Sequence, residues 1–125
     1  MAPIEFARSY TAAWCSQDAA SVAAHYAIDG SLRINGGIPA LGRNAIQESA
    51  QSFMTEFPDL VVTLNWLVEG AHPEYHWTLS GTSLAGRTVR ISGFELWTLG
   101  ADGFIAESHG RFDGVDYERQ MSGTT

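Results

Sequence analysis

The apolar spacing of this 125-residue chain changes from helical to alternating near residue 60, which predicts an α+β domain with helices first and a mostly antiparallel sheet after. Two observations carry that reading. Between Ile4 and Ser16, Phe6, Tyr10, Ala13 and Trp14 fall on one helical stripe, so Tyr10 is expected to face inward. From Leu60 onward the period is two, with Leu60, Val62, Leu64, Trp66 and Val68 on one face.

The elements follow in order. After the first helix, Asp18 is a good N-cap for a second helix through Val22 to Tyr26, which stops at Asp29-Gly30. A short extended piece, Ser31 to Asn35, leads to a Gly36-Gly37 turn. A third helix starts at Gly42-Arg43-Asn44, carries Ile46, Phe53 and Phe57, and is closed by Pro58. Beyond the Leu60 strand and the Gly70–Pro73 turn, Tyr75, Trp77 and Leu79 alternate. The turn at Ala85-Gly86 precedes a strand from Thr88 to Thr98, and Ala101-Asp102-Gly103 makes a hairpin into a last strand, Phe104 to about Asp113. One domain over residues 1–121 is expected, with a frayed tail at 122–125.

Composition narrows the function classes. The net charge of −7 comes from fourteen acids against seven arginines, with no lysine. Nucleic-acid binding is therefore disfavoured, since no basic cluster exists to release counterions, and a Schiff-base lysine or phosphate-loop lysine is excluded. No apolar run reaches a membrane span or a signal-peptide core, so no membrane partner and a cytoplasmic location are expected. Cys15, alone in an apolar helical stretch, reads as a buried, inert thiol. Histidines 25, 72, 76 and 109 are scattered, and Pro73 breaks the 72/76 pair; metal binding is disfavoured and no cofactor is expected.

Glu95 is the most informative residue. Alternation puts it with Val89, Ile91, Gly93 and Trp97 on the more apolar face of its strand, where desolvation raises a carboxyl's pKa and favours its neutral, donating form. Pairing with an arginine near the strand end, or a pleat broken at Gly93, are the structural alternatives. Tyr75, Trp66, Trp77 and Trp97 supply core and pocket wall, which implies a flat apolar ligand. In the last strand, alternation separates Phe104, Ala106, Ser108, Gly110 and Phe112 from Ile105, Glu107, His109, Arg111 and Asp113. Only a bulge, expected at Gly110, would show parts of both sets to a pocket. His109 is either an orienting or proton-accepting partner of Asp113 or an exposed strand histidine. Asn35 is either a ligand contact or a turn residue.

Gly86-Arg87, Ser92-Gly93-Phe94, Asp102-Gly103-Phe104-Ile105, Glu107 and the stretch Asp113 to Gln120 together resemble the SnoaL-like branch of the nuclear transport factor 2-like superfamily. That resemblance implies a cone-shaped, curved, mostly antiparallel sheet packed against three N-terminal helices. The segment Tyr10 to Asp29 is similar to the ketosteroid isomerase branch, which implies Tyr10 and Glu95 as oxyanion donors, the acid in its protonated form, and Tyr26 as a supporting tyrosine. The branch's proton-shuttling aspartate falls at Ile34. The resemblance to SnoaL-like cyclases instead implies Asp113, seven residues before Gln120, as acid/base, with His76 or His109 in place of the usual histidine.

The reading is a cofactor-independent enzyme of cyclase or isomerase type acting on a hydrophobic carbonyl compound. Tyr10 and Glu95 would stabilise an enolate oxygen, and Asp113 with His109 would move the proton, with Asn35, Tyr26, Trp77, Trp97 and Phe112 around the substrate. A non-catalytic ligand-binding or dimerisation module is the alternative, and an epoxide hydrolase or dehydratase a further one. An aromatic sheet face that so short a chain leaves uncovered implies a homodimer.

Overall fold

The computed structural model describes residues 2–123. Among them the elements run α1 (Pro3–Cys15), α2 (Ala19–Ala23), β1 (Tyr26–Ile34), β2 (Ala40–Leu41), α3 (Gly42–Glu56), β3 (Val61–Val68), β4 (Glu74–Thr82), β5 (Thr88–Leu99), β6 (Ile105–Phe112) and α4 (Gly114–Ser122). The α+β architecture is as expected. Pro3 opens α1, where its missing N–H costs nothing, and the stripe of Ala7, Tyr10, Ala13 and Trp14 is buried. Asp18 caps α2 by accepting from the Ala20 amide at 3.2 Å.

The six strands form one curved, open sheet in the order β2-β1-β6-β5-β4-β3. All pairings are antiparallel except β1 with β6, which is parallel because the chain crosses from one edge of the meander to the other through α3 and three strands. The inner face, with α1, α2 and α3 against it, holds the core around Tyr10, Tyr26, Ile46, Met54, Phe57, Tyr75 and Trp97.

Several elements differ from the sequence-based expectation. The second helix is a single short turn and a half, and β1 begins at Tyr26, because the Ala-rich segment ends where Tyr26 becomes fully buried. The fourth helix, Gly114–Ser122, is capped by Asp113 and ends with Gly123 in the left-handed region at φ 71°. Of the tail, Thr124 and Thr125 lie outside the described residues. Cys15 is exposed, with its sulfur bonded to the Val62 backbone on both its N–H and C=O, rather than buried.

The bulge in β6 is not at Gly110. The ladder shifts between Thr98 and Leu99, where Thr98 faces Glu107 and Leu99 faces Ile105, leaving Ala106 as the extra residue. One slip there turns Ile105 inward together with Ser108, Gly110 and Phe112. Glu107, His109 and Arg111 therefore stay on the outer face. At Gly93 the ladder is unbroken, pairing Trp77 on one side and Phe112 on the other. A Cβ at Gly93 would stand 2.2 Å from the Arg111 carbonyl oxygen and 2.8 Å from Cζ2 of Trp77, so the missing side chain is what lets the Trp77 indole lie across the strand.

Candidate functional site: a buried carboxyl at the wall of an apolar cavity

Glu95 sits in the middle of β5, paired with Tyr75 of β4 and Gly110 of β6. Its inward face is fixed by the pleat, and it is 7% exposed. Four side chains from four elements converge on its Oε1. The Ser108 hydroxyl donates at 2.7 Å, the Tyr10 hydroxyl at 3.0 Å, the Trp97 indole N–H at 3.0 Å and the Tyr26 hydroxyl at 3.4 Å. Tyr10 also reaches Oε2 at 3.2 Å and shares a 2.8 Å bond with Tyr26. No arginine pairs with Glu95 among the described residues.

Burial pushes the Glu95 carboxyl above its ordinary range, and the donors from Trp97, Ser108, Tyr10 and Tyr26 act against that rise without cancelling it. Tyr10 and Tyr26 are driven well above the usual phenol range, first by burial and then by the Glu95 charge, so both remain donors. Because Oε1 is saturated, a proton on Glu95 belongs on Oε2. The carboxyl thus has one crowded accepting oxygen and a second that Tyr10 approaches at 3.2 Å.

Beside Glu95 is a cavity of about 60 Å³ whose wall is apolar: Trp14 and Phe53 on the helix side, Ile34 on β1, Trp77 on β4, and Phe112 with Gly110 on β6. Glu95 is the one carboxyl in its lining. A water needs about 10–15 Å³ on this scale, so the space, which is half open to its surroundings, holds a few waters.

The sequence-derived candidates separate into three groups. Glu95, Tyr10, Tyr26 and Trp97 meet in one network, although of these only Glu95 lines the cavity; Tyr10, Tyr26 and Trp97 stand behind it. Trp77 and Phe112 line the cavity directly. The rest lie elsewhere, which corrects the expectation for their placement. Asp113 is exposed, lies one residue beyond β6, and accepts from the Asp116 amide at 3.0 Å as the N-cap of α4. His109 is on the outer sheet face, its Nε2 3.7 Å from Glu107, because even spacing along β6 from Ser108 outward puts it opposite to the pocket. Asn35, at φ 51°, accepts from the Phe112 amide at 2.9 Å while its own amide donates to the Gly110 carbonyl oxygen; it clamps the end of β1 to β6. Ile34, at the position of the implied base, fills the wall with hydrocarbon.

Ser108 was not singled out from the sequence, yet it makes the shortest bond to Glu95. Its signal is the period-two set it shares with Gly110 and Phe112, a lone hydroxyl on a buried face. His25, left among the scattered histidines, bonds Ser9 of α1 at 2.9 Å and the Ser21 carbonyl oxygen at 2.7 Å, tying α1 to α2. Among the described residues no cluster of three or more His, Cys, Asp or Glu is placed to hold a metal ion, and no helix is long and apolar enough to cross a membrane.

Solved structures share this fold over nearly their whole length. A hypothetical protein of ketosteroid isomerase-like fold from Catenulispora acidiphila, in complex with trimethylamine, superposes with a TM-score of 0.85 at 17% identity, covering 98% of this chain and 95% of that one. TerC, co-crystallised with polyporic acid, gives 0.81 at 20% identity, covering 95% and 97%. A putative SnoaL-like polyketide cyclase from a Jannaschia species gives 0.78 at 18% identity, covering 100% and 98%. At such identities the likeness is one of fold. No curated protein matches the chain in sequence. The family model of the SnoaL-like domain matches residues 7–108, from the α1 stripe to the serine on Glu95, and this chain belongs to the SnoaL-like domain family.

Proposed function

We propose that the cavity binds a small, flat, hydrophobic carbonyl compound and that Glu95 donates a hydrogen bond to its oxygen. The observation that carries this is the Glu95 carboxyl itself: buried, raised in pKa, held by Ser108, Trp97 and the Tyr10–Tyr26 hydroxyl pair, and set in the wall of an apolar cavity. A network this costly to desolvate rigidifies a charge-bearing group where a plain hydrophobic contact would serve folding as well. The neighbours with trimethylamine and polyporic acid, and the one named as a cyclase, lend the fold a record of small-molecule pockets.

Chemistry in this reading falls to Glu95 alone. An acid that donates a hydrogen bond to a carbonyl polarises it, which is the electrophilic half of an enolisation or ring closure of the isomerase or cyclase type; the C–H proton such a reaction releases has no carboxylate or histidine acceptor other than Glu95 in the lining. Asp113 and His109 take no part, and water addition between Asn35 and a carboxylate has no support, since Asn35 Oδ1 is engaged by the Phe112 amide. Without a second acid/base in the cavity lining, ligand binding without turnover is the second reading. The test is the affinity for cyclohexanone, followed by NMR, as a function of pH. Affinity falls as Glu95 loses its proton, and Glu95→Gln flattens the profile. A wild-type profile that is flat, or no binding up to the solubility limit, overturns the proposal.

The outer sheet face is proposed to seat a second copy of the chain. Trp66 is 56% exposed with its ring stacked on His76 at 4.3 Å, and Phe94, Leu96 and Val68 continue the patch. Arg111 and Arg90 stand on the same face as Glu74 and Glu107, so the patch is self-complementary in charge, as a two-fold interface requires. Light scattering at micromolar concentration should read twice the chain mass, and a monomer would remove the claim.

A further inference from the structure

Among the described residues one buried side-chain nitrogen or oxygen has no hydrogen-bond partner: Nε1 of Trp77. Buried donors in native proteins are almost always paired, so an orphan calls for an acceptor that the chain itself does not supply. Trp77 lines the same cavity as Glu95, and its nearest packed ring, Phe112, stands edge-on at 6.1 Å. The walls around it are hydrocarbon. Phenylalanine would pack there without leaving a donor unsatisfied.

The register fixes how the two donors relate. Trp77 pairs with Gly93 and Tyr75 with Glu95, so Trp77 and Glu95 are diagonal neighbours on the concave face of adjacent strands. Both side chains line one cavity, so a small ring that carries two oxygens can meet both donors. The cavity volume of about 60 Å³ favours a small ligand. We propose that the ligand is a single-ring compound with two acceptor oxygens, of the cyclic dicarbonyl class, one oxygen taking the Glu95 proton and the other the Trp77 indole N–H. Phe112 is the side chain that gives way as the second oxygen reaches Nε1. The inference rests on the carbonyl-binding reading of the cavity and adds the second anchor and the ring size.

The experiment compares 1,4-cyclohexanedione with cyclohexanone, two rings of one size that differ in the second acceptor. In wild type the diketone binds about five- to tenfold more tightly, the worth of one added hydrogen bond. It also moves the Trp77 Nε1–H resonance downfield in nitrogen-15-labelled protein, while cyclohexanone does not. Trp77→Phe brings the two affinities to within the factor of about two that the diketone's second equivalent carbonyl gives statistically. An unmoved Nε1–H resonance at saturating diketone, or a preference for the diketone above that factor that survives Trp77→Phe, overturns the second anchor while leaving the Glu95 reading intact. Failure of both ketones to bind wild type removes the Glu95 reading, and this inference with it. The wild-type resonance decides the question even where Trp77→Phe fails to fold.

Discussion

Replacing Tyr10 by phenylalanine removes one oxygen from the centre of the network and leaves the ring in place. The hydroxyl bonds Tyr26 at 2.8 Å and Glu95 at 3.0 and 3.2 Å, and the residue is fully buried, so water does not take over these contacts. The aromatic packing on Trp97 and Tyr75, both at 5.3 Å, is retained. Tyr26 keeps its 3.4 Å approach to Glu95 and its contact with Ser108, while Glu95 still has Ser108 and Trp97. One well-made buried bond and one to a partly charged acceptor together contribute about 1–3 kcal/mol. In urea, with a slope of about 1–3 kcal/mol per molar for a domain of this size, the midpoint should fall by roughly 1 M. The loss should also depend on pH. Tyr10 is one of the donors that favour ionised Glu95, so without it the carboxyl's pKa rises further and the variant is penalised more above that pKa than below it. Tyr75→Phe, which breaks only a bond to Thr11, is the control. A Tyr10→Phe protein within about 0.5 kcal/mol of wild type at all pH values would refute the network as described.

Glu95→Gln should remove a pH dependence. The folded pKa lies above the unfolded one, so the folded state holds the extra proton; its stabilisation is complete below the unfolded value of about 4.3 and is lost as pH rises through the folded pKa, at about 1.4 kcal/mol per unit of rise. Urea midpoints measured from pH 4 upward should therefore decline in wild type and lose that component in the variant. Asp113→Ala should cost only the cap of α4, about 0.5–2 kcal/mol, seen as faster amide exchange in Gly114–Ser122 with cyclohexanone affinity unchanged; a lost affinity would restore Asp113 to the site. Gly93→Ala puts a Cβ 2.2 Å from a carbonyl oxygen and should destabilise by about 3 kcal/mol or more by thermal unfolding, whereas a neutral result would mean that the Trp77–Gly93–Phe112 layer is looser than drawn.

How far the sequence went depends on which physical signal was local. The inward face of Tyr10 follows from helical period and that of Glu95 from strand period, and both were readable because each is a polar tip on a buried stripe. The placement of Asp113 was not. A strand carried through residue 113 gives the acid a face, whereas the chain turns into a helix at that point and spends the carboxylate on a cap. The last strand shows the same limit. From Glu107 to Phe112 its two faces were correctly separated, but Ile105 was grouped with Glu107, His109 and Arg111 and lies inward with Ser108, because pairing with β5 places a bulge at Ala106, a non-local fact. Asn35 carried an ambiguous signal from the start, and its left-handed backbone decided it in favour of the turn.

The central claim is that Glu95, beside an apolar cavity, holds its proton to a higher pH than an ordinary glutamate and can donate it, and its carboxyl carbon reports this directly. In carbon-13-labelled protein the Glu95 resonance should titrate above the ordinary glutamate range near 4.3, and saturating cyclohexanone should raise its midpoint further, because a ligand that accepts the proton binds the protonated form. A midpoint at or below about 4.3, or one that cyclohexanone leaves in place or lowers, would contradict the account.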